Sequence, residues 1–163
     1  MQKITPFLWF DTQAEEAVKF YTSIFKNSRI GAIKRYDEAG AKASGRPPGS
    51  VMTASFWLGD QEFIALNGGP NFKFTEAISF VVNCENQEEV DHYWTRLSEG
   101  GDERTQQCGW LKDKFGLSWQ IFPVALGKML ADKDPQKANR VMQAVLQMKK
   151  IDIKALEKLY DQR

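Results

Sequence analysis

Few residues of this chain are equipped for chemistry. His92 is its only histidine, and Cys84 and Cys108 are its only cysteines. A multi-histidine metal centre within one chain, or a relay through two imidazoles, is therefore excluded. No Cys-x-x-Cys occurs. What remains is a set of aromatic and neutral polar side chains: Phe7, Trp9, Ser55, Trp57, Asn67, Cys108, Trp110 and Gln120. Rings with a few convergent polar groups are the usual lining of a small-molecule pocket. Cys108 reads either as a nucleophile or as an inert thiol, and the absence of a neighbouring Lys or His in the sequence favours the second. Glu15–Glu16 and Glu88–Glu89 resemble catalytic carboxylate pairs, but they fall in first helical turns, where acidic groups cap the helix and complement its dipole. His92 lies off the apolar stripe of its helix and reads as an exposed residue rather than a general base.

The elements that position these residues come in two copies. Residues 14–22 align with residues 87–95 as amphipathic helices. In the first, Ala14, Ala17, Val18, Tyr21 and Phe25 form one apolar stripe behind a capping box at Thr12 and Glu15. In the second, Val90, Tyr93, Trp94 and Leu97 form the stripe, Asn86 is the cap and Gly100-Gly101 the stop. A short strand precedes each helix, Ile4 to Phe10 and Ala77 to Val82, and hairpins follow. Val51–Leu58 and Glu62–Asn67 flank one turn, Gln107–Lys112 and Leu117–Phe122 the other. The first copy is longer, mainly through Tyr36 to Ser50, which reads as a mobile loop. The fold class is thus α+β, with βαβββ twice and the second copy trimmed. Modules at 1–70 and 71–123 make one paired unit, and 124–163 is a helical extension of the same domain. In that extension Asp134-Pro135 starts a helix with Ala138, Val141, Met142, Val145 and Met148 on one face, and Asp152 caps another carrying Leu156, Leu159 and Tyr160. Those faces must be buried on the chain's own sheet or on a partner, a homodimer contact being the simplest.

Composition limits the partners. Apolar residues make up 42% of the 163 and aromatics 12%, enough for a real core. Twenty-two Lys plus Arg against 21 Asp plus Glu leave a net charge of +1, which gives no field to gather nucleic acid. No leader pattern or membrane-length apolar run stands out. Two thiols without a secretion signal suit a reducing compartment, so the expectation is a cytoplasmic protein without a structural disulfide.

Several motifs carry a more specific resemblance: Ile4-Thr5-Pro6-Phe7-Leu8-Trp9-Phe10-Asp11, Ala14-Glu15-Glu16-Ala17, Ala65-Leu66-Asn67-Gly68-Gly69-Pro70, Cys108-Gly109-Trp110-Leu111-Lys112-Asp113, Phe115-Gly116-Leu117-Ser118-Trp119-Gln120 and Arg140-Val141-Met142-Gln143-Ala144. On these the chain resembles the PhnB-like family, also labelled a demethylubiquinone methyltransferase domain, within the vicinal-oxygen-chelate superfamily of glyoxalases, extradiol dioxygenases and bleomycin-resistance proteins. The resemblance implies paired modules curling a mixed sheet into a cup. It also implies metal-ligand positions at Thr5 or Pro6, near Ala65, near Ala77 or Ile78, and at Gln120. None of these is His, Cys, Asp or Glu, and one neutral amide cannot replace imidazoles and carboxylates, so no metal and no cofactor is expected. The methyltransferase label implies S-adenosylmethionine, yet no Gly-x-Gly follows a predicted strand, and the label reads as a misnomer.

Strand parity then assigns faces. With Gln120 facing the cup, Ser118 and Phe122 follow, and Trp119 and Ile121 pack on helices. The same reasoning turns Phe63, Ala65 and Asn67 inward, with Ser55, Trp57, Cys108, Trp110, Thr5, Phe7 and Trp9, and sends Leu8 and Phe10 to the core. The expected function is metal-free binding of a planar or aromatic small molecule in a cup completed by a dimer. The alternative is a lyase-, isomerase- or dioxygenase-like enzyme acting on a small oxygenated substrate, either metal-dependent through ligands at other positions or working through Cys108, Asn67 and Gln120.

Overall fold

The computed structural model describes residues 2–162. The chain divides into two compact units, Met1–Phe74 and Thr75–Arg163.

In the first unit the elements run β1 (Phe7–Phe10), α1 (Ala14–Ile24), β2 (Arg29–Arg35), α2 (Glu38–Ser44), β3 (Val51–Leu58) and β4 (Gln61–Asn67). The sheet order is β1-β4-β3-β2; β1 pairs with β4 in parallel and the remaining neighbours are antiparallel. The apolar stripe of α1, Ala14, Ala17, Val18, Tyr21 and Ile24, is buried. It meets the sheet through stacked rings, with Tyr21 6.1 Å from Phe56 and Phe56 5.3 Å from Phe63. The cap of this helix differs from the sequence expectation. Gln13, not Thr12, is the N-cap and supplies no side-chain bond. The free Ala14 N–H donates instead to Asn67 Oδ1 at 2.8 Å, an acceptor brought from the far end of β4.

The segment from Tyr36 to Ser50 is also more ordered than a mobile loop. It holds α2, capped by Asp37 and stopped by Gly45 in the left-handed region. Its neck is closed by hydrogen bonds between Tyr36 and Ser50 and between Gly49 and Tyr36, and Tyr36 donates its hydroxyl to the Asn67 carbonyl at 2.9 Å.

The second unit contains β5 (Ser79–Cys84), α3 (Gln87–Ser98), a 3-10 turn (Glu103–Thr105), β6 (Trp110–Lys112) and β7 (Ser118–Pro123), then α4 (Val124–Leu130), α5 (Pro135–Val145) and α6 (Ile153–Tyr160). Its three strands are ordered β5-β7-β6, with β5 and β7 parallel and β6 and β7 antiparallel. The trimming of the second copy removes the counterpart of β2, and the 3-10 turn stands in its place along the chain. Asn86 caps α3 by accepting from Glu89 N, and Glu89 Oε2 accepts from Glu85 N in return. The arrangement resembles a capping box, with the return bond reaching the residue before the cap rather than the cap itself.

The expected strand Gln107–Lys112 is shorter than its composition suggests. Gln107 and Trp110 close a two-residue turn, and both central residues, Cys108 and Gly109, have positive φ, 53° and 84°. This is the backbone of a primed hairpin turn. Its two N–H groups donate to Met148 O at 2.7 Å and Lys149 O at 2.8 Å, which anchors the C-terminal extension to the turn. The extension has its own core of Leu126, Met129, Val141, Val145, Ile151 and Leu156, against which Cys108 and Phe122 pack. Its helical faces are thus largely covered within the unit, although Met142 and Leu146 stay exposed. Gln87 fastens α6 to α3, donating to Ile151 O and accepting from Ile153 N. Among the described residues no helix is long and apolar enough to cross a membrane.

The turn between β6 and β7 rests on a buried carboxylate. Asp113 Oδ1 accepts from Phe115 N (2.9 Å) and Leu117 N (3.1 Å), and Oδ2 from Trp119 Nε1 (2.8 Å). Removing it leaves two buried donors and one part-buried donor without partners. Asp113→Ala is therefore expected to lower the urea-unfolding free energy by about 3 kcal/mol, at the upper end for unsatisfied buried groups.

Candidate functional site

Each sheet has one face packed on its helix, and its alternate side chains turn to the other, open face, which in the second unit is covered at one end where Phe122 packs on the C-terminal core. In the first unit Leu8, Phe10, Ala54, Phe56, Phe63 and Ala65 are buried, on the side of α1. Alternation therefore puts Phe7, Trp9, Ser55, Trp57, Ile64 and Leu66 on the other side. Phe7 is 55% exposed. The two indoles here are held from several directions. Trp9 donates Nε1–H to Gly69 O at 2.9 Å and meets Phe72 edge-on with centroids 4.9 Å apart. Its six-membered ring lies so close to Gly68 that any Cβ there would collide with it. Trp57 has the same relation to Gly31, whose Cβ would strike its ring, and the Arg29 guanidinium sits 3.7 Å from its centroid. Gly31 lies in a bulge between Ile30 and Ile33, and Ser55 Oγ stabilises that bulge by accepting from Ala32 N at 2.9 Å. Each ring is thus fixed by a glycine that lets backbone approach it.

Asn67 does not join this surface. It is 6% exposed and spends both ends of its amide, Oδ1 on Ala14 N and Nδ2 on Val51 O. The face assignment of Phe63, Ala65 and Asn67 is corrected accordingly: they point to the α1 side. Thr5 is half-buried at the strand entrance, where its hydroxyl accepts from Gln2 Nε2.

In the second unit Val82, Cys84, Leu111, Trp119 and Ile121 are buried, on the side of α3. Ser79, Val81, Trp110, Lys112, Ser118 and Gln120 share the opposite face, as the register of Gln120 with Val81 and Trp110 requires. Gln120 donates to Ser79 Oγ at 2.9 Å. Lys112 Nζ forms an ion pair with Glu76. Cys108 is absent from this face, because its turn diverts it onto the C-terminal core. The sequence-predicted residues therefore separate into Phe7, Trp9, Ser55 and Trp57 on one open face, Trp110 and Gln120 on the other, and Asn67 and Cys108 on neither. Arg29, Glu76, Ser79 and Lys112 were missed. Arg29 had no signal of its own in the sequence. Lys112 and Ser79 had one, two residues from Trp110 and paired to Ser118, once the strand register is known.

The other thiol, Cys84, is fully buried. Burial, and secondarily the charge of Glu89, push its pKa up to about 12. The same burial and the same Glu89 raise the neighbouring Tyr93 phenol. Both cysteines are free thiols. A cleft of about 580 Å³ also lies in this unit, between the start of α3 and the start of α6. Its side chains are engaged with each other: Asp91 with Lys150 at 2.5 Å, Gln87 with Asp91, and Asp152 with the first turn of α6.

The metal positions implied by the superfamily do not hold a donor set. Ala65 is buried toward α1 and Gln120 is bonded to Ser79. Among the described residues no three His, Cys, Asp or Glu side chains are grouped for one ion.

Residues 2–122 match the family model described as 3-demethylubiquinone-9 3-methyltransferase. The chain is also similar to a solved structure titled a putative 3-demethylubiquinone-9 3-methyltransferase, PhnB protein, from Bacillus cereus. The two are 41% identical over 76% of this chain and all of that one, with a TM-score of 0.65. The chain belongs to this PhnB-like family. The fold of the wider superfamily agrees. The fosfomycin resistance protein FosX from Mesorhizobium loti shares it at 15% identity and a TM-score of 0.53, over 81% of this chain and all of that one. A glyoxylase/bleomycin resistance protein/dioxygenase domain from Frankia sp. EAN1pec does so at 14% and 0.50, over 76% and 92%. No curated protein matches. The family model stops where α4 begins, so the α4–α6 extension lies beyond the matched segment. The PhnB-like sheets, one of four strands and one of three, are not the doubly wound parallel sheet on which a nucleotide-type methyl donor usually sits.

Cys84 supplies a chemical check on the face assignment. The unfolded chain loses the thiol proton near its ordinary value, whereas the native state keeps it until about pH 12. The resulting stabilisation is complete below that ordinary value and is lost as the pH climbs toward 12. At pH 8.5 iodoacetamide is expected to leave Cys84 unmodified in the native protein and to label it in urea, as read by peptide mass mapping.

Proposed function

We propose that this PhnB-like chain is a metal-free small-molecule-binding protein whose open sheet faces hold a planar or aromatic ligand. The observation that carries this reading is the fixing of Trp9 and Trp57. A ring already locked by a glycine contact, an N–H bond or a guanidinium loses little freedom when a ligand stacks on it, and rings so placed form the apolar lining small-molecule sites require. A core tryptophan would be buried on all sides, whereas these lie on the face opposite α1.

The ligand is taken up by a homodimer in the cytoplasm. The exposed apolar residues Phe7, Phe72, Ile78 and Val81 support association between copies, and two free thiols fit a reducing compartment. The near balance of charge argues against nucleic acid as a partner. Catalysis on a small oxygenated substrate is the second reading. The Gln120–Ser79 pair favours it, since an amide and a hydroxyl on an open face can polarise a carbonyl. Cys108, packed against the extension, gives it no support.

A panel of planar aromatic metabolites is expected to include compounds that raise the melting temperature and quench tryptophan fluorescence. Trp57→Leu should weaken those compounds at least about tenfold, the ~1.4 kcal/mol of one lost stacking contact, while the urea midpoint shifts little. A panel without a single stabilising compound would contradict the reading.

A further inference from the structure

Ser118 is the most deeply buried polar residue on the open face of the second sheet, 1% exposed, and its Oγ has no hydrogen-bond partner among the described residues. A buried hydroxyl left unpaired is uncommon and costly. Its neighbours are known from the register. Ser118 lies in the central strand, opposite Ser79 on β5 and opposite Lys112 on β6. Lys112 reaches past it to Glu76, which precedes β5. The ion pair thus runs from one edge strand to the entry of the other and roofs the central strand at Ser118.

That roof is held lightly. The Glu76 side chain is 66% exposed and that of Lys112 24%, and an exposed ion pair of this kind contributes little net stability. Glu76 satisfies the lysine but leaves the hydroxyl beneath it unused. A carboxylate arriving from solution has two oxygens, one for the ammonium and one for the Ser118 hydroxyl, and charge-assisted bonds of both kinds are strong. Trp110 and the exposed Val81 flank Gln120, two residues along the same strand, and offer apolar surface to the rest of such a molecule.

We propose that Glu76 is an internal stand-in for the carboxylate of a ligand. A small aromatic or aliphatic carboxylic acid displaces Glu76 and binds through Lys112 Nζ and Ser118 Oγ, with Gln120 and Ser79 beside it. The inference rests on the ligand-binding reading above and names the chemical class of the ligand.

The test is titration of the full-length protein with benzoate and with its neutral counterpart benzamide, followed by tryptophan fluorescence and NMR. Glu76→Gln frees Lys112 and is expected to tighten benzoate about tenfold. Lys112→Met and Ser118→Ala are expected to weaken it by a similar factor, with benzamide indifferent to all three. Because the Ser118 hydroxyl is unpaired in the free protein, Ser118→Ala should unfold at the same or a higher urea concentration than the parent. Benzamide bound as well as benzoate in every variant would overturn this inference and leave the binding reading standing. No binding of benzoate to Glu76→Gln, or a clearly lower urea midpoint for Ser118→Ala, would also overturn it.

Discussion

A helix packed on a sheet can cover only one of its faces, and in each unit of this chain one amphipathic helix, α1 or α3, takes one face of the sheet. The consequences follow from that constraint. In the first unit α1 lies on Phe56, Phe63 and Ala65, so the alternate side chains of the same strands must face elsewhere. In the second, α3 lies behind Val82, Trp119 and Ile121, which turns Gln120 and Ser118 to the other side. Side chains on the open faces need other means to hold their rotamers. The structure supplies them as glycine contacts for Trp9 and Trp57, a hydrogen bond from the Gln120 amide to Ser79 and an ion pair for Lys112.

The periodic signals of the sequence were sufficient for the helices, the hairpins and the trimmed repeat, because amphipathic spacing is set by burial and burial is local to each element. They failed where a strand is apolar on both sides. Phe63-Ile64-Ala65-Leu66 offers no alternation, so parity counted from Ala65 turns Phe63, Ala65 and Asn67 inward with nothing in the pattern to oppose it. In the structure Ile64 pairs with Phe7 and Gln120 with Val81. Ile64, not Ala65, is therefore the residue on the face opposite α1, one residue from the position parity assigns. Cys108 failed for a different reason. Cysteine rarely takes a positive φ, so nothing in its type announced the turn that removes it from the sheet. The tryptophans were legible as pocket residues, but the glycines that fix them were legible only as loop punctuation.

The family description names a methyl transfer; among the described residues the parallel contacts are the pairs β1–β4 and β5–β7, an arrangement different from the doubly wound sheet of a dinucleotide site. The metal-ligand positions that the superfamily resemblance implies hold threonine or proline, alanine, alanine or isoleucine, and glutamine. Binding of a small molecule needs only surfaces that are shaped and already ordered. The C-terminal extension adds to that order, since Cys108 and Phe122 pack on its core and Gln87 ties α6 to α3.

Metal-free binding on the open faces is tested most directly by titrating a stabilising aromatic ligand into chelator-treated protein, with and without added divalent ions, and reading tryptophan quenching. The account predicts one affinity in both conditions, reduced when Trp9 or Trp57 is replaced. Binding that disappears on chelation and returns with a stoichiometric metal ion would contradict it.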